Sequence, residues 1–109
     1  MTIEEVRKMA LEFPSATEAP HFEKQSYKVC NKIFMTVQVE GKVLTLKLDI
    51  SDQYVYCKVE PSIIHPVPGK WGLKGWTTFY FDRVDKTIIK EAIKHAYLQV
   101  APSSLKKLV

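Results

Sequence analysis

The most distinctive stretch of the sequence is PVPGKWGLKGWTTFYF, residues 66–81, which contains both tryptophans of the chain. Trp71 and Trp76 each adjoin a glycine, and Lys70 and Lys74 lie close to them. An indole ring can stack on a nucleic-acid base, which is worth roughly 1–3 kcal/mol per base, and a lysine ammonium can contact phosphate. One interpretation of this stretch is therefore a platform for nucleic acid.

The same stretch also permits a purely structural interpretation. Gly69, Gly72 and Gly75 would shape a tight loop, Trp76 would begin a strand, and Trp71 would cover the edge of the core. A strand-initial tryptophan finds a packing partner on either face of a sheet, so we expect Trp76 to be structural. Both roles stay open for Trp71, because glycine-rich loops often carry function.

The formal charge of +4 is unevenly distributed along the chain. Residues 66–109 contain eight Lys or Arg but only three Asp or Glu. Residues 1–65 contain eight Lys or Arg and nine Asp or Glu. A basic surface attracts polyanions such as nucleic acid, although a solvated lysine-rich surface has the same composition. Only two residues are arginine, which argues against bidentate recognition of guanine and predicts little sequence preference.

Three lysines continue this basic character at helical spacing. Lys86, Lys90 and Lys94 recur every four residues and would share one face of a helix. Such a row could lie along a phosphate backbone. The alternative is that the three lysines form only the solvated face of an amphipathic helix.

No set of residues predicts catalysis or metal binding. His21 and Glu23 could exchange a proton, but no nucleophile, metal cluster or phosphate loop accompanies them. The alternative places Phe22 in the core and lets His21 hydrogen-bond a loop carbonyl. Histidines and cysteines are scattered, so we expect no metal site, no cofactor and no enzymatic activity. Cys30 and Cys57 are expected to be reduced thiols in or near the core.

The length of 109 residues indicates a single domain, residues 1–109, with one core. No apolar run approaches the ~20 residues of a membrane span. The N-terminal MTIEEVRKMALEF is acidic and amphipathic, unlike a secretory signal. We therefore expect a protein of the cytoplasm that does not cross a membrane.

Apolar periodicity predicts an N-terminal helix followed by strands. Thr2 and Glu5 have the spacing of a capping box, and Pro14 ends the helical pattern. The next stretch, PSATEAPHFEK, holds two prolines and is predicted to be a loop. Three strands joined by hairpin turns follow, so the sheet should be antiparallel. These strands lie within residues 26–30, 33–40 and 44–50.

The C-terminal part predicts a strand and a long helix. Residues 76–82 favour a strand, and the apolar stripe after Asp85 favours a helix that Pro102 ends. A short strand over residues 63–65 would lie at a sheet edge or end because prolines follow it.

The residue pattern alone does not decide whether residues 51–60, SDQYVYCKVE, form a helix or a strand. Asp49 or Ser51 could cap a helix. The run YVYCKV, however, is rich in β-branched and aromatic residues, which favour a strand.

The order of these segments resembles a known family. PHFEKQSYKV, NKIFMTV, VLTLKLD, PVPGKWGLKGWTTFYF and VDKTIIKEAIKHAYLQVAP follow one another as in the MmcQ/YjbR family of small bacterial proteins. The resemblance covers nearly the whole chain and implies a two-layer α-β-β-β-α-β-β-α domain, similar to type III secretion chaperones. It would make residues 51–60 a helix. The family is commonly described as DNA-binding, but the resemblance supplies no catalytic or binding residues.

We therefore expect an α+β domain whose antiparallel sheet has helices packed on one face. Its expected function is non-enzymatic binding of DNA or another polyanion through a basic C-terminal surface, with little sequence preference. The expected contact residues are Lys70, Trp71, Lys74, Arg83, Lys86, Lys90 and Lys94. The alternative is an adaptor that binds a protein or peptide partner on an open sheet face or edge.

Overall fold

A computed structural model, which describes residues 1–109, divides the chain into five helices and six strands. In chain order they are α1 (Ile3–Leu11), β1 (Thr17–His21), β2 (Lys24–Val29), β3 (Lys32–Gln38), β4 (Val43–Lys47), α2 (Ile50–Val59), β5 (Ile64–Pro66), α3 (Lys70–Leu73), β6 (Trp76–Tyr80), α4 (Lys86–Val100) and α5 (Ser103–Lys106). The strands form one antiparallel sheet in the order β1-β2-β3-β4-β6-β5.

The long helices pack on one face of this sheet. Alternate side chains of β3, β4 and β6 point to that face and are fully buried: Met35, Val37, Leu44, Leu46 and Phe79. Helix α4 packs on β3 and β4, α2 lies against β5, and α1 contacts α4. The predicted α+β fold, an antiparallel sheet with helices, is confirmed.

Local sequence signals position most of these elements. The capping box of Thr2 and Glu5 is formed at the start of α1. Asp85 caps α4 by accepting a hydrogen bond of 2.8 Å from the backbone N–H of Thr87. The stretch that the pattern left open is helix α2, whose N-cap is Asp49. The helix implied by the family resemblance is therefore present.

The predicted loop PSATEAPHFEK contains an additional strand, β1. It pairs with β2 along its whole length, from Thr17 opposite Lys28 to His21 opposite Lys24. The element order thus has one strand more than α-β-β-β-α-β-β-α, as well as the one-turn helices α3 and α5. Residues TEAPH show no apolar alternation, and Pro20 is tolerated because β1 lies at the sheet edge.

Two residues expected in the core are instead exposed in hairpin turns. Phe22 lies between β1 and β2 with φ of 59° and is 94% exposed. Cys30 lies between β2 and β3 with φ of 49° and is also exposed. Both predictions were wrong, because a two-residue turn projects its side chains beyond the end of the sheet rather than onto a face. Cys57, on α2, is half-buried.

One ionic contact fastens the edge strand β1 to the helical layer. Glu18 lies between Arg7 and Tyr27, with 2.9 Å from Arg7 Nε to its Oε2 and 2.6 Å from the Tyr27 hydroxyl, which donates to the same oxygen. The hydrogen bond from the Arg7 guanidinium and, to a smaller extent, that from the Tyr27 hydroxyl lower the pKa of Glu18. Burial and the neighbouring Glu18 raise the pKa of Tyr27.

We expect Glu18→Gln to lower the free energy of unfolding by about 1–2 kcal/mol at neutral pH, because it replaces charged hydrogen bonds by weaker neutral ones. The folded-state pKa is depressed, so the contribution of Glu18 is present above the unfolded pKa of about 4.3 and is lost as the pH falls below it. Urea titrations of wild type and variant should therefore converge at acidic pH. A difference that does not change with pH would contradict this assignment, and Glu23→Gln, at an exposed turn, is the control.

Candidate functional site

The sheet face opposite the helices carries a row of hydroxyl side chains. Thr36, Thr45 and Thr78 lie directly opposite one another on β3, β4 and β6, and Ser26 on β2 extends the row. The residues that flank the three threonines point to the helical side; of these, Met35, Val37, Leu44, Leu46 and Phe79 belong to the hydrophobic core. The register of four strands assembles the row, in which Thr36 and Thr45 are half-buried and Ser26 and Thr78 are buried.

A groove of about 460 Å³ lies over part of this row. Its floor includes Thr36 and Thr45, with Ile33 beside them. One rim is the β1–β2 hairpin and the other is formed by β6, α3 and the loop before α3. The lining residues are His21, Lys24, Ile33, Thr36, Thr45, Val67, Trp71 and Trp76.

The two tryptophans of the opening stretch both line this groove but differ in exposure. Trp76 is the first residue of β6, as predicted, and is half-buried. Trp71 lies on α3 and is 57% exposed, so it does not serve chiefly to cover the core. The Lys74 ammonium lies 5.2 Å from the centre of the Trp71 indole, within cation–π distance. Trp71 is therefore an accessible aromatic surface next to a cation.

Buried hydrogen bonds hold helix α3 in place. The Gln53 side chain on α2 donates from Nε2 to the Gly72 carbonyl and to Thr77 Oγ1, each at 3.0 Å. Lys47 donates to the carbonyl of Lys74, which follows α3. Burial, together with the charge of Lys74, lowers the pKa of Lys47. The short helix that presents Trp71 is thus anchored from α2 and from the sheet.

The one Lys, Arg, Asp or Glu side chain that lines the groove, Lys24, is basic. Lys24 lies on the hairpin rim together with His21, and no Asp or Glu is among the lining residues. Lys70 and Lys74 add two cations from α3 and its C-cap. An aromatic wall, a hydroxyl floor and cationic rims are complementary to a ligand that combines flat rings with negative charge.

The structure brings together only three of the seven predicted contact residues: Lys70, Trp71 and Lys74. Trp76 begins β6, whereas Arg83 lies beyond the other end of that strand, in the turn before α4. The lysine row lies on the exposed side of α4, and α4 covers the sheet face opposite the groove.

Acidic neighbours accompany the lysine row. Lys86 forms an ion pair with Glu5. The hydrogen bond from the Lys86 ammonium is the largest of the effects that lower the pKa of Glu5 to about 2. Lys90 and Lys94 share a depression of about 400 Å³ with two carboxylates, Glu12 and Glu91. The helical side is therefore of mixed charge and less suited to a polyanion than the groove.

The pattern-based prediction missed the residues that complete the groove. His21 and Lys24 were assigned to a loop, and the threonines were interpreted only as the polar positions of strands. Alternation does place Thr36 and Thr45 on the face away from the core, but their juxtaposition requires the register of β3 and β4. Phe22, exposed at the tip of the hairpin rim, was expected in the core because the β1–β2 hairpin was not predicted.

No group of three or more His, Cys, Asp or Glu side chains is arranged to hold a metal ion. None of the helices combines the length and apolarity needed to cross a membrane.

The fold and groove define a small α+β domain with helices on one face of an antiparallel sheet and an open face on the other. The YjbR family model matches residues 11–99, and the chain therefore belongs to the YjbR family. The crystal structure of Deinococcus radiodurans protein DR2400, a DUF419 domain, is similar with a TM-score of 0.81 and 21% identity. The similarity covers 98% of this chain and 86% of that one, and it supports the fold alone. No curated protein shows significant similarity to the chain.

Proposed function

We propose that this protein is a non-enzymatic, cytoplasmic nucleic-acid-binding protein that takes a single strand across the open face of its sheet. The observation that carries the proposal is the exposed Trp71 on the wall of a groove that is lined by Lys24 and by no acidic residue. Unpaired bases stack on exposed aromatic rings, and lysines beside the rings neutralise the phosphates that follow.

Each part of the groove has a role in this proposal. Trp71 stacks on a base, and Lys70 and Lys74 contact its phosphates. The hydroxyls of Thr36 and Thr45 donate to or accept from the edge of any base, so little sequence preference is expected. A duplex offers no free base face to Trp71, and the proposal therefore favours single strands.

The opposite rim supplies a second set of contacts. Lys24 extends the cationic surface across the groove, and Phe22 presents an exposed ring at the tip of the same hairpin. A strand that crosses from α3 to the hairpin meets aromatic and basic groups at both ends. With about three phosphate contacts, the logarithm of the affinity should fall with the logarithm of salt concentration with a slope of about −2.

The direct test is fluorescence anisotropy of a labelled single-stranded oligonucleotide at several salt concentrations. Replacing Trp71 by Ala should weaken binding roughly tenfold or more, because one stacked base contributes about 1–3 kcal/mol. Trp71→Phe, which keeps an aromatic ring, should retain part of the affinity. Wild-type tryptophan emission should be quenched when the single strand binds.

Matched charge reversals separate the groove from the helical layer. Lys70→Glu with Lys74→Glu should weaken binding strongly and reduce the salt dependence. Lys90→Glu with Lys94→Glu changes the net charge equally on the opposite side and should weaken binding much less. Equal losses in both double variants, or tighter binding of duplex than of single strand, would overturn the assignment to the groove.

The adaptor alternative is favoured by the two open sheet edges, β1 and β5, which could pair with a partner peptide. Absence of any nucleic-acid binding at low salt would reject the first proposal and favour a protein partner at one of these sheet edges.

A further inference from the structure

Lys47, the last residue of β4, lies on the open face of the sheet beside the groove. Leu46 and Leu48, before and after it, are fully buried in the core, so the Lys47 side chain projects on the face that carries Thr45. Lys47 is directly opposite Trp76 of β6, and both Thr45 and Trp76 line the groove. Lys47 is therefore a half-buried cation at the border of the groove.

The Lys47 ammonium reaches the end of α3. It donates a hydrogen bond to the backbone carbonyl of Lys74, the C-cap of that helix. Burial and, to a smaller extent, the charge of Lys74 lower the pKa of Lys47. The Lys74 ammonium in turn lies 5.2 Å from the centre of the Trp71 ring. Two cations thus converge beside the exposed indole.

No carboxylate compensates these two lysines. The ion pairs of the protein belong to other cations, which are Arg7, Lys42, Lys86 and His95. The carboxylate of Asp49, two residues after Lys47, accepts hydrogen bonds from the Asp52 backbone N–H and the Ser51 hydroxyl, both at 2.8 Å. Neighbouring cations repel each other where water screens them poorly, and an anion between them removes that repulsion.

The two ammonium groups have unused hydrogen-bond donors. An ammonium carries three N–H donors, and the carbonyl of Lys74 takes only one from Lys47. Two donors of Lys47 and those of the Lys74 ammonium therefore remain for a ligand. Several charged donors at one place suit a group with several anionic oxygens, such as phosphate.

We propose that Lys47 and Lys74 form a phosphate site beside Trp71, which holds the phosphate group next to the stacked base. The choice of ligand rests on the proposed function, since a base that stacks on Trp71 brings its own phosphate to this end of the groove. Lys47 then contacts the ligand as well as α3. A single strand gains a fourth lysine contact besides those of Lys24, Lys70 and Lys74.

The salt dependence of strand binding tests the contact of Lys47. Each lysine–phosphate contact contributes about −0.7 to the slope of log affinity against log salt concentration, so four contacts predict a slope of about −3 for wild type. Lys47→Met removes the ammonium but keeps an unbranched side chain. It should weaken binding several-fold at low salt and return the slope to about −2. Lys90→Met, at an exposed position of α4, is the control for the lost charge and should leave the slope unchanged.

The slope also separates a phosphate contact from a structural role. If Lys47 only anchors α3, Lys47→Met would lower the affinity through Trp71 and leave the slope at its wild-type value, and that result would overturn the proposal. Lys47→Arg, which keeps the charge and several donors, should preserve the wild-type slope.

Acetylation of the wild-type protein gives a second test, which holds even if Lys47→Met does not fold. Acetic anhydride modifies free lysine amines, and mass spectrometry measures the rate at each lysine. The probes, compared at equal ionic strength, are a single-stranded oligonucleotide, an abasic strand of the same length and inorganic phosphate. Bound phosphate should slow acetylation of Lys47 and Lys74 but not of Lys90. Protection by the strands alone assigns the site to a phosphodiester, whereas protection by inorganic phosphate shows that a free phosphate group suffices.

The outcomes distinguish this inference from the proposed function. If a strand quenches tryptophan emission while Lys47 is acetylated at an unchanged rate, the phosphate site is wrong and nucleic-acid binding stands. If no strand binds but inorganic phosphate protects Lys47 and Lys74, the proposed function fails and the phosphate site stands. If no probe binds or protects Lys47, both are overturned.

Discussion

Gly75→Ala is expected to lower the free energy of unfolding by more than about 4 kcal/mol, a large part of the stability of a domain of this size. Two effects combine at this residue. Its φ of 103° is one that L side chains rarely adopt, and a Cβ built on its backbone would lie 1.8 Å from the Leu48 carbonyl oxygen. The obstacle is backbone, not a flexible side chain, so β4 and β6 would have to separate where the Leu48 N–H donates to the Gly75 carbonyl.

Gly69→Ala is the matched control for this prediction. Gly69 also has a positive φ, 81°, but a Cβ there would meet nothing within 4 Å. Gly69→Ala should therefore lower the free energy of unfolding only through backbone strain, by about 1–3 kcal/mol. Urea denaturation followed by tryptophan fluorescence would measure both variants. Similar losses in the two would show that the close approach to Leu48 does not limit the fold.

The sequence predicts this fold well wherever its information is local. The capping box at Thr2 and the cap at Asp85 each specify an element from residues a few positions apart, and both are present. Pattern alone left α2 open, and the resemblance resolved it correctly. The ambiguity has a physical reason: several exposed positions of α2, such as Tyr54 and Val55, carry large apolar side chains, which weakens the polar face by which amphipathic helices are detected.

Elements that depend on tertiary pairing were not predicted. Strand β1 carries Pro20 and no apolar alternation, so nothing in its own residues indicates a strand; pairing with β2 and the contact of Glu18 with Arg7 hold it. Phe22 was misassigned because a single apolar residue in an undetected hairpin looks like a core residue. Whether such a residue lies in a strand or in a turn decides its burial.

The candidate site was predicted in part. The stretch around Trp71 offered two interpretations, an aromatic platform with lysines or a cover for the core, and the sequence left both open; the structure has Trp71 57% exposed. Its partners across the groove, Thr36 and Thr45, lie on other strands and require the sheet register. Sequence charge alone also could not separate Lys86 from Lys70, because only the fold pairs Lys86 with Glu5 and places it on the opposite side of the sheet.

Gln53 connects the helical layer to the presentation of Trp71, and Gln53→Glu should destabilise the protein in a strongly pH-dependent way. The Gln53 Nε2 group donates to the carbonyls of Gly72 and Trp76, at 3.0 and 3.3 Å, and to Thr77 Oγ1 at 3.0 Å. A carboxylate oxygen in that place would face three oxygens with no proton to donate. A protonated carboxyl group could still donate to one of them, so the folded state favours the neutral acid and raises its pKa.

The direction of the effect follows from that raised pKa. Below the unfolded pKa of about 4.3 the acid is neutral in both states, and Gln53→Glu should lose the least stability relative to wild type. As the pH rises, the unfolded chain releases the proton while the folded protein retains it, and the loss grows by about 1.4 kcal/mol per pH unit until the folded-state pKa is reached. Urea titrations from acidic to neutral pH would measure this slope, with Gln99→Glu at an exposed position of α4 as the control. A loss that is the same at all pH values would mean that the carboxyl group turns out to solvent, and that the buried hydrogen bonds of Gln53 do not hold α3 and its Trp71 against the sheet.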